Sequence, residues 1–242
     1  MDIMAYANFN IIDWHAISAG IDTKTAWQEW QETNFIWPEG EKAPVDKIPA
    51  MARRRMSSLS KLAVQTALTL VQEQEVDYLI FASRHGELTR TCALLEDILK
   101  GEDASPMAFS QSVHNTAAGL FTITAKKAIP VTSIAAGENT FHSALIEAAA
   151  YLSDNSNHRV LVIDFDEPLP SHYQEFEQQE YQGYAFGLIL SGGDDFTLQW
   201  NKKPSIKPDV MPHGLQCISK LVGSHSQWMI ESSSTQWTWT HK

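Results

Sequence analysis

The chain has 242 residues, of which 43% are apolar and 19% charged, and its formal net charge is −11. This length suits one large globular domain or two small ones with a sizeable core. The acidic balance excludes the broad basic surface that nucleic-acid binding requires. The one basic run, Arg53-Arg54-Arg55, is short and typical of a solvated helix start.

Targeting and redox features point to an ordinary intracellular protein. The opening residues, MDIMAYANFNIIDW, contain no basic region followed by an apolar core, so no signal peptide is predicted. No apolar run reaches the roughly 18–20 residues that span a bilayer. Cys92 and Cys217 have no metal-ligand spacing, and Cys92 lies among leucines at helical intervals, which indicates a buried free thiol. We expect a cytoplasmic protein with no membrane span, metal or cofactor.

The hydrophobic pattern predicts alternating strands and helices. In chain order these are a strand at 8–19, a helix capped by Asp22 or Thr23 and carrying Trp27 and Trp30, a loop at 32–50, a helix from Met51 to about Glu73, a strand at 77–83, a helix from about Leu88 to Leu99, a helix at 112–125, a strand at 129–135, a helix at 139–152, a strand at 158–165 and a hairpin of residues 184–191 and 196–200. This alternation predicts an α/β fold in which helices cover a sheet.

The end of the chain differs in composition from the rest. The predicted hairpin turns at residues 192–195, Gly-Gly-Asp-Asp, and the pattern weakens after it. Three tryptophans, Trp228, Trp237 and Trp239, argue against disorder there. We therefore predict a domain of residues 1–200 and a short Trp-rich extension of residues 201–242, docked on the domain or on a partner.

The most informative segment is Val131-Thr132-Ser133-Ile134-Ala135-Ala136-Gly137, which predicts a strand running into a tight turn and a helix. Such an elbow can aim a nucleophile into a pocket. The residue at its tip is Ile134, which has neither a lone pair to attack with nor a proton to give. The sequence therefore predicts a catalytic elbow without its nucleophile.

Two other sets of residues carry ionisable side chains that could support chemistry. Asp164 and Asp166 follow a buried strand, where a phosphatase keeps its nucleophile and acid, but a strand-end turn capped by carboxylates explains them better. None of the histidines forms a metal-type pair, and His142 follows Glu138 at a surface-pair spacing.

At the level of motifs, residues 8–200 resemble the N-terminal half of β-ketoacyl-acyl carrier protein synthases, members of the thiolase superfamily. In those enzymes an Asn-x-x-Ala-Gly segment precedes a Thr-Ala-Cys-x-x-Gly elbow. The run from Asn115 to Gly119 matches the first motif, and the run from Thr132 to Gly137 matches the second, with Ile134 in place of the cysteine. The resemblance implies a thiolase-like layered fold and structural roles for Asn115, Gly119, Thr132 and Gly137.

The same resemblance implies a subunit without activity of its own. The family's second half, which carries two catalytic histidines, has no counterpart in this sequence, so an Ile134→Cys change is not expected to create a synthase. A synthase-like chain without the cysteine is similar to a chain length factor, the inactive partner of an active synthase in type II polyketide systems. The short form with a Trp-x-Trp tail looks like the synthase-like proteins of bacterial aryl polyene clusters.

By the same analogy the implied partner is a full-length β-ketoacyl-acyl carrier protein synthase, in a heterodimer or heterotetramer, and a strand near the elbow pairs across the dimer. The segment before Asn115 would protrude into the partner's acyl tunnel and limit chain length, with the gating residues Met107, Phe109, Gln111, Val113 and His114. The acidic acyl carrier protein would dock mainly on the partner, because this chain is acidic too. The alternatives are a homodimeric acyl-binding module and a small hydrolase or phosphatase using Asp164 and Asp166.

Overall fold

The computed structural model describes residues 5–72, 74–177, 179–203 and 211–242. The strands are β1 (Ala5–Ser18), β2 (Tyr78–Ala82), β3 (Val131–Ile134), β4 (Arg159–Asp166), β5 (Tyr184–Lys202), β6 (Gln227–Glu231) and β7 (Thr235–His241). The α-helices are α1 (Lys24–Glu32), α2 (Ala50–Arg53), α3 (Ser58–Leu70), α4 (Leu88–Leu99), α5 (Pro106–Ser110), α6 (Thr116–Ala125), α7 (Thr140–Asp154) and α8 (His213–Val222). No described helix is long and apolar enough to cross a membrane.

The strands described here form one mixed sheet. Their order is β3-β2-β4-β5-β7-β6, and β1 pairs with β5. Strand β2 runs parallel to both β3 and β4, whereas the other pairings are antiparallel. Parallel neighbours need crossover connections, which α4 to α6 supply between β2 and β3, and α7 supplies between β3 and β4. The predicted α/β layered fold is confirmed.

Two apolar cores lie on opposite faces of the sheet. One face packs against α3 and α6, with Phe81, Phe121 and Phe165 among its buried side chains. The other packs against α1, α7 and α8, with Phe186 and Trp239 in its interior. Strands covered on both faces read as continuous apolar runs, which is why β2 and β4 were recognisable in the sequence.

The helix predicted from Met51 to Glu73 is wrong as a single element. The chain forms α2, breaks over residues 54–57 and starts again as α3, because the Ser57 hydroxyl accepts the Ser60 backbone N–H at 2.8 Å and caps the second helix. Residue Glu73 lies outside the described residues. The helix predicted at 112–125 begins at Thr116 instead, and a separate short helix, α5, precedes it.

The predicted hairpin at 184–200 is also wrong, because β5 is one strand that pairs with β1 on both sides of residues 192–195. The residues between Ser191 and Phe196 form a bulge opposite the junction of Phe9 and Asn10. The Asn10 side chain fills this bulge and accepts the Asp195 N–H at 3.0 Å. A Cβ at Gly193 would collide with that side chain, which explains the glycine.

The C-terminal residues continue the sheet. After the bulge, β7 takes the place beside β5 that β4 holds before it, and β6 pairs with β7. Trp228, Trp237 and Trp239 are buried against the core on the α7 side. The boundary predicted at residue 200 falls within β5, and residues 204–210 of the predicted extension lie outside the described residues.

Candidate functional site

The elbow has the predicted shape. Strand β3 ends at Ile134, Gly137 adopts a left-handed φ of 59°, and α7 starts at Thr140. The Thr140 hydroxyl accepts the Ala136 N–H at 2.9 Å and donates to the Gly137 carbonyl at 2.8 Å, which closes the turn. Ile134 is half-buried and packs against the apolar core. The turn geometry is therefore complete, but the tip carries a hydrocarbon side chain.

The elbow lies at an edge of the sheet. Among the described strands, β3 is the first of the sheet path and pairs only with β2. A groove of about 460 Å³ runs beside it, lined by Thr132, Asn115 and Gly119 among others. A second groove of about 510 Å³ also includes Asn115 and Gly119 and continues to Met51. The two grooves thus meet at α6 and form one surface with the free strand edge, which we call the β3-edge surface.

The residues predicted to gate an acyl chain lie around α5, next to this surface. Met107 is 58% exposed, Phe109 63% and Val113 42%. These exposed fractions are high for large apolar side chains. Val113 also lines the second groove. The structure therefore brings three of the five predicted residues to the exterior, and their gating role stays a prediction.

The two polar members of that set are held by the chain itself. The Gln111 side-chain oxygen accepts a hydrogen bond from the Arg90 guanidinium. His114 Nε2 lies 2.8 Å from the Ser83 carbonyl oxygen, and its ring packs over Gly86, where a Cβ would be only 3.0 Å from it. Both side chains are therefore engaged in hydrogen bonds within this chain, Gln111 with Arg90 and His114 with the Ser83 backbone.

Asp164 and Asp166 lie in the interior. Asp166 accepts the Ser83 hydroxyl and the Arg84 N–H, both at 2.8 Å, and so caps the turn after β2. Burial raises the pKa of Asp166 to about 6, and burial together with the Asp166 charge raises the pKa of Asp164 well above its usual value. The adjoining cavity measures about 20 Å³, which holds one water molecule and no phosphate ester.

A buried histidine pair is the feature that the sequence did not reveal. His142 is not on the surface beside Glu138, as its spacing suggested, but fully buried, because α8 and β7 cover this part of α7. Its Nδ1 lies 2.9 Å from Nδ1 of His213. Trp239 Nε1–H donates to His142 Nε2 at 3.1 Å, so the His142 proton sits on Nδ1 and points at His213.

The hydrogen-bond chain ends at a backbone carbonyl. His213 Nε2 lies 3.3 Å from the Glu231 carbonyl oxygen, so it carries the proton, and both rings are satisfied as neutral imidazoles. Burial lowers the pKa of His142 well below its usual value and that of His213 to about 4. The pair therefore links α7 to the C-terminal elements, and the ring nitrogens of both histidines are already hydrogen-bonded within this chain.

The layered α/β fold, together with an elbow that is intact but has no nucleophile at its tip, places this protein in the class of thiolase-like chains of the condensing-enzyme type. The profile of the β-ketoacyl synthase N-terminal domain matches residues 27–240. The chain therefore belongs to the β-ketoacyl synthase family.

Among solved structures, the chain is similar to one from the complex of a ketosynthase (ApeO) with its chain length factor (ApeC) from Xenorhabdus doucetiae. The identity is 30%, the TM-score is 0.86, and the match covers 97% of this chain and 99% of that one. This similarity supports a chain-length-factor-like subunit, as the sequence motifs predicted. No curated protein matches the sequence.

Two more distant structures show the same fold. The ishigamide ketosynthase/chain length factor has 13% identity and a TM-score of 0.65, over 83% of this chain and 68% of that one. A chain from the complex of a type II polyketide synthase acyl carrier protein with its ketosynthase has 12% identity and a TM-score of 0.66. That match covers 98% of this chain and 100% of that one. At these identities the similarity concerns the fold alone.

Proposed function

We propose that this chain is a non-catalytic, chain-length-factor-like partner of an active β-ketoacyl-acyl carrier protein synthase in type II polyketide biosynthesis of the aryl polyene kind. The observation that carries the proposal is Ile134 at the tip of an otherwise complete elbow. Acyl transfer in this family type needs a thiolate at that point, and a hydrocarbon cannot form the covalent intermediate. The fold is retained, and the chemistry belongs to another subunit.

The β3-edge surface supports an association with that subunit. Its free strand edge offers unpaired backbone groups, which are a template for pairing with another chain. The exposed Ile123 and the two grooves that meet at Gly119 add apolar contact area beside the edge. A permanent interface of this kind buries roughly 2,000 Å² or more.

The segment around α5 supports the shaping of an acyl tunnel. Its large apolar side chains point away from the chain's own core, so they are free to enter a cavity of the partner. A bulky side chain at the end of a closed tunnel limits the length of the growing chain, because overpacking costs about 1–3 kcal/mol. The acyl carrier protein, which is acidic, docks mainly on the synthase subunit in this proposal.

The association is tested by co-expression with a full-length ketosynthase from a type II polyketide gene cluster, followed by affinity capture. We expect a stable complex with wild-type chain and at least tenfold weaker association with Ile123→Glu, which puts a charge into the β3-edge surface. Ile36→Glu is the matched control, because Ile36 is 71% exposed and follows α1 on the opposite face of the sheet. Equal association of both variants would refute the interface.

The shaping role is tested in the reconstituted complex with carrier protein and extender units. Phe109→Ala should lengthen the products, read by mass spectrometry of the released chains, because it removes the bulkiest exposed group of α5. Unchanged product length would count against the tunnel assignment. A monodisperse, unassociated chain that hydrolyses a chromogenic ester or phosphate would overturn the whole proposal, and an acyl-loaded homodimer in native mass spectrometry would replace it with an acyl-binding module.

A further inference from the structure

We propose that Arg90 and Gln111 are positioning residues that hold the α5 segment, residues 105–113, at a fixed distance from α3. The proposal rests on the proposed function, since α5 carries the exposed Phe109. It adds a mechanism by which this chain would define one product length instead of a range.

The α5 segment needs such a fixture because its own packing is weak. The helix has five residues, and none of them is buried. Its N-terminus is capped by Ser105, whose hydroxyl accepts the Ala108 N–H at 3.3 Å. A segment with few buried contacts opens at low cost, so its average position depends on the hydrogen bonds at its ends.

Arg90 supplies the main fixture from the first half of α4. One guanidinium nitrogen, Nη1, donates to the Gln111 side-chain oxygen, and Nη2 donates to the Arg55 carbonyl oxygen at 2.9 Å. The third nitrogen, Nε, lies 3.4 Å from the Glu87 carboxylate. The planar Arg90 guanidinium, which we call the fork, therefore joins the end of α5 to the break between α2 and α3. A lysine has a single ammonium group and cannot reproduce these contacts.

Glu87 anchors the fork to the interior. Its side chain is 4% exposed, and its Oε1 accepts the Ser57 hydroxyl at 2.8 Å and the Ser60 hydroxyl at 2.5 Å. Ser57 caps the N-terminus of α3 and Ser60 lies in its first turn, and α3 packs against the sheet. The order of contacts is therefore α3, Glu87, Arg90, Gln111, from the packed core to the exposed segment.

A second, weaker tie runs in parallel. The Thr91 hydroxyl lies 3.2 Å from the Ser112 carbonyl oxygen and 3.0 Å from the Glu87 carbonyl oxygen, so its one proton is shared between them. Two ties on consecutive residues restrict rotation of the segment as well as its distance. Gln111, which the resemblance implied to be one of the gating residues, thus acts on Phe109 through the backbone.

A matched pair of variants tests the tie in the isolated chain. Gln111→Leu keeps the approximate volume and removes the acceptor, whereas Gln111→Glu keeps the acceptor and adds charge toward Arg90. Amide hydrogen exchange at residues 109–112 should become about tenfold faster in Gln111→Leu and should not accelerate in Gln111→Glu. Equal exchange in wild type and both variants overturns the inference.

Product length in the reconstituted complex separates this inference from the proposed function. We expect Gln111→Leu and Arg90→Gln to broaden the distribution of chain lengths at unchanged complex stoichiometry, and Gln111→Glu to keep it narrow. If Phe109→Ala shifts the length while Gln111→Leu leaves the distribution as in wild type, the positioning role is refuted and the proposed function stands. If neither variant changes the products, the tunnel assignment itself has failed.

Discussion

Acidification should selectively weaken the contact between α7 and the C-terminal elements through the His142–His213 pair. Both rings are buried, their Nδ1 atoms are 2.9 Å apart, and one proton lies between these atoms. A second proton has no acceptor there, because the two remaining ring nitrogens face the Trp239 indole N–H and the Glu231 carbonyl. Protonation therefore requires opening of the pair.

The magnitude follows from the pKa of His213, which is 6.5 in an unperturbed state and about 4 in the fold. A histidine with a lowered folded pKa stabilises the fold above the unfolded pKa, and this stabilisation is lost as the pH falls through 6.5 toward 4. Between about pH 7.5 and about pH 4.5 the loss is roughly 2–3 kcal/mol in the free energy of unfolding. The lowered pKa of His142 acts in the same direction.

Urea unfolding followed by tryptophan fluorescence at these two pH values measures the effect. His213→Gln keeps an acceptor and a donor but cannot be protonated. Between the two pH values, the free energy of unfolding of this variant should therefore decrease by roughly 2–3 kcal/mol less than that of wild type. His225→Gln, at an exposed histidine, is the control and should behave as wild type. The same pH dependence in wild type and His213→Gln would refute this account of the pair.

Three further predictions concern stability and association. Gly119→Ala should raise the free energy of unfolding by up to about 1 kcal/mol, because Gly119 lies within α6 and an added Cβ meets no described atom within 4 Å. Gly119→Leu should keep the thermal midpoint but weaken capture of the synthase. A loss of stability in either variant would contradict this prediction. Asp166→Asn should destabilise by about 1–3 kcal/mol in urea titrations, because one amide oxygen cannot serve the three donors at this carboxylate. Trp239→Ala should cost about 3–5 kcal/mol, measured the same way, and a near-neutral result would show that β7 is not part of the core.

The sequence predicted the elements whose signals are local. The bounds predicted for α4, Leu88 and Leu99, match the structure, and the buried strands β2 and β4 were found from their continuous apolar runs. The elbow was also recognisable, because a β-strand, a glycine and a small-residue helix follow one another directly. These features depend on neighbours within a few residues.

Two of the errors arose where a distant residue decides the local structure. The Gly-Gly-Asp-Asp run is a typical turn sequence, but the β1 pairing and the Asn10 side chain, 185 residues from Asp195, hold it as a bulge within one strand. The histidine pair joins residues 71 positions apart, so no spacing rule could have found it. Only the fold brings α7 and α8 together.

The distribution of polar and apolar side chains supports the proposed association role. The buried ionisable groups described above, Asp164, Asp166, Glu87, His142 and His213, are each engaged by donors or acceptors of this same chain. A catalytic group needs a face open to substrate, and the cavity beside Asp164, Asp166 and His213 measures about 20 Å³, room for one water molecule. Large apolar side chains are instead largely exposed beside the edge strand β3. In the proposed function the chain acts through the surface that it places against a partner, so the β3-edge variants, and not variants of the buried acids, are the decisive test of that proposal.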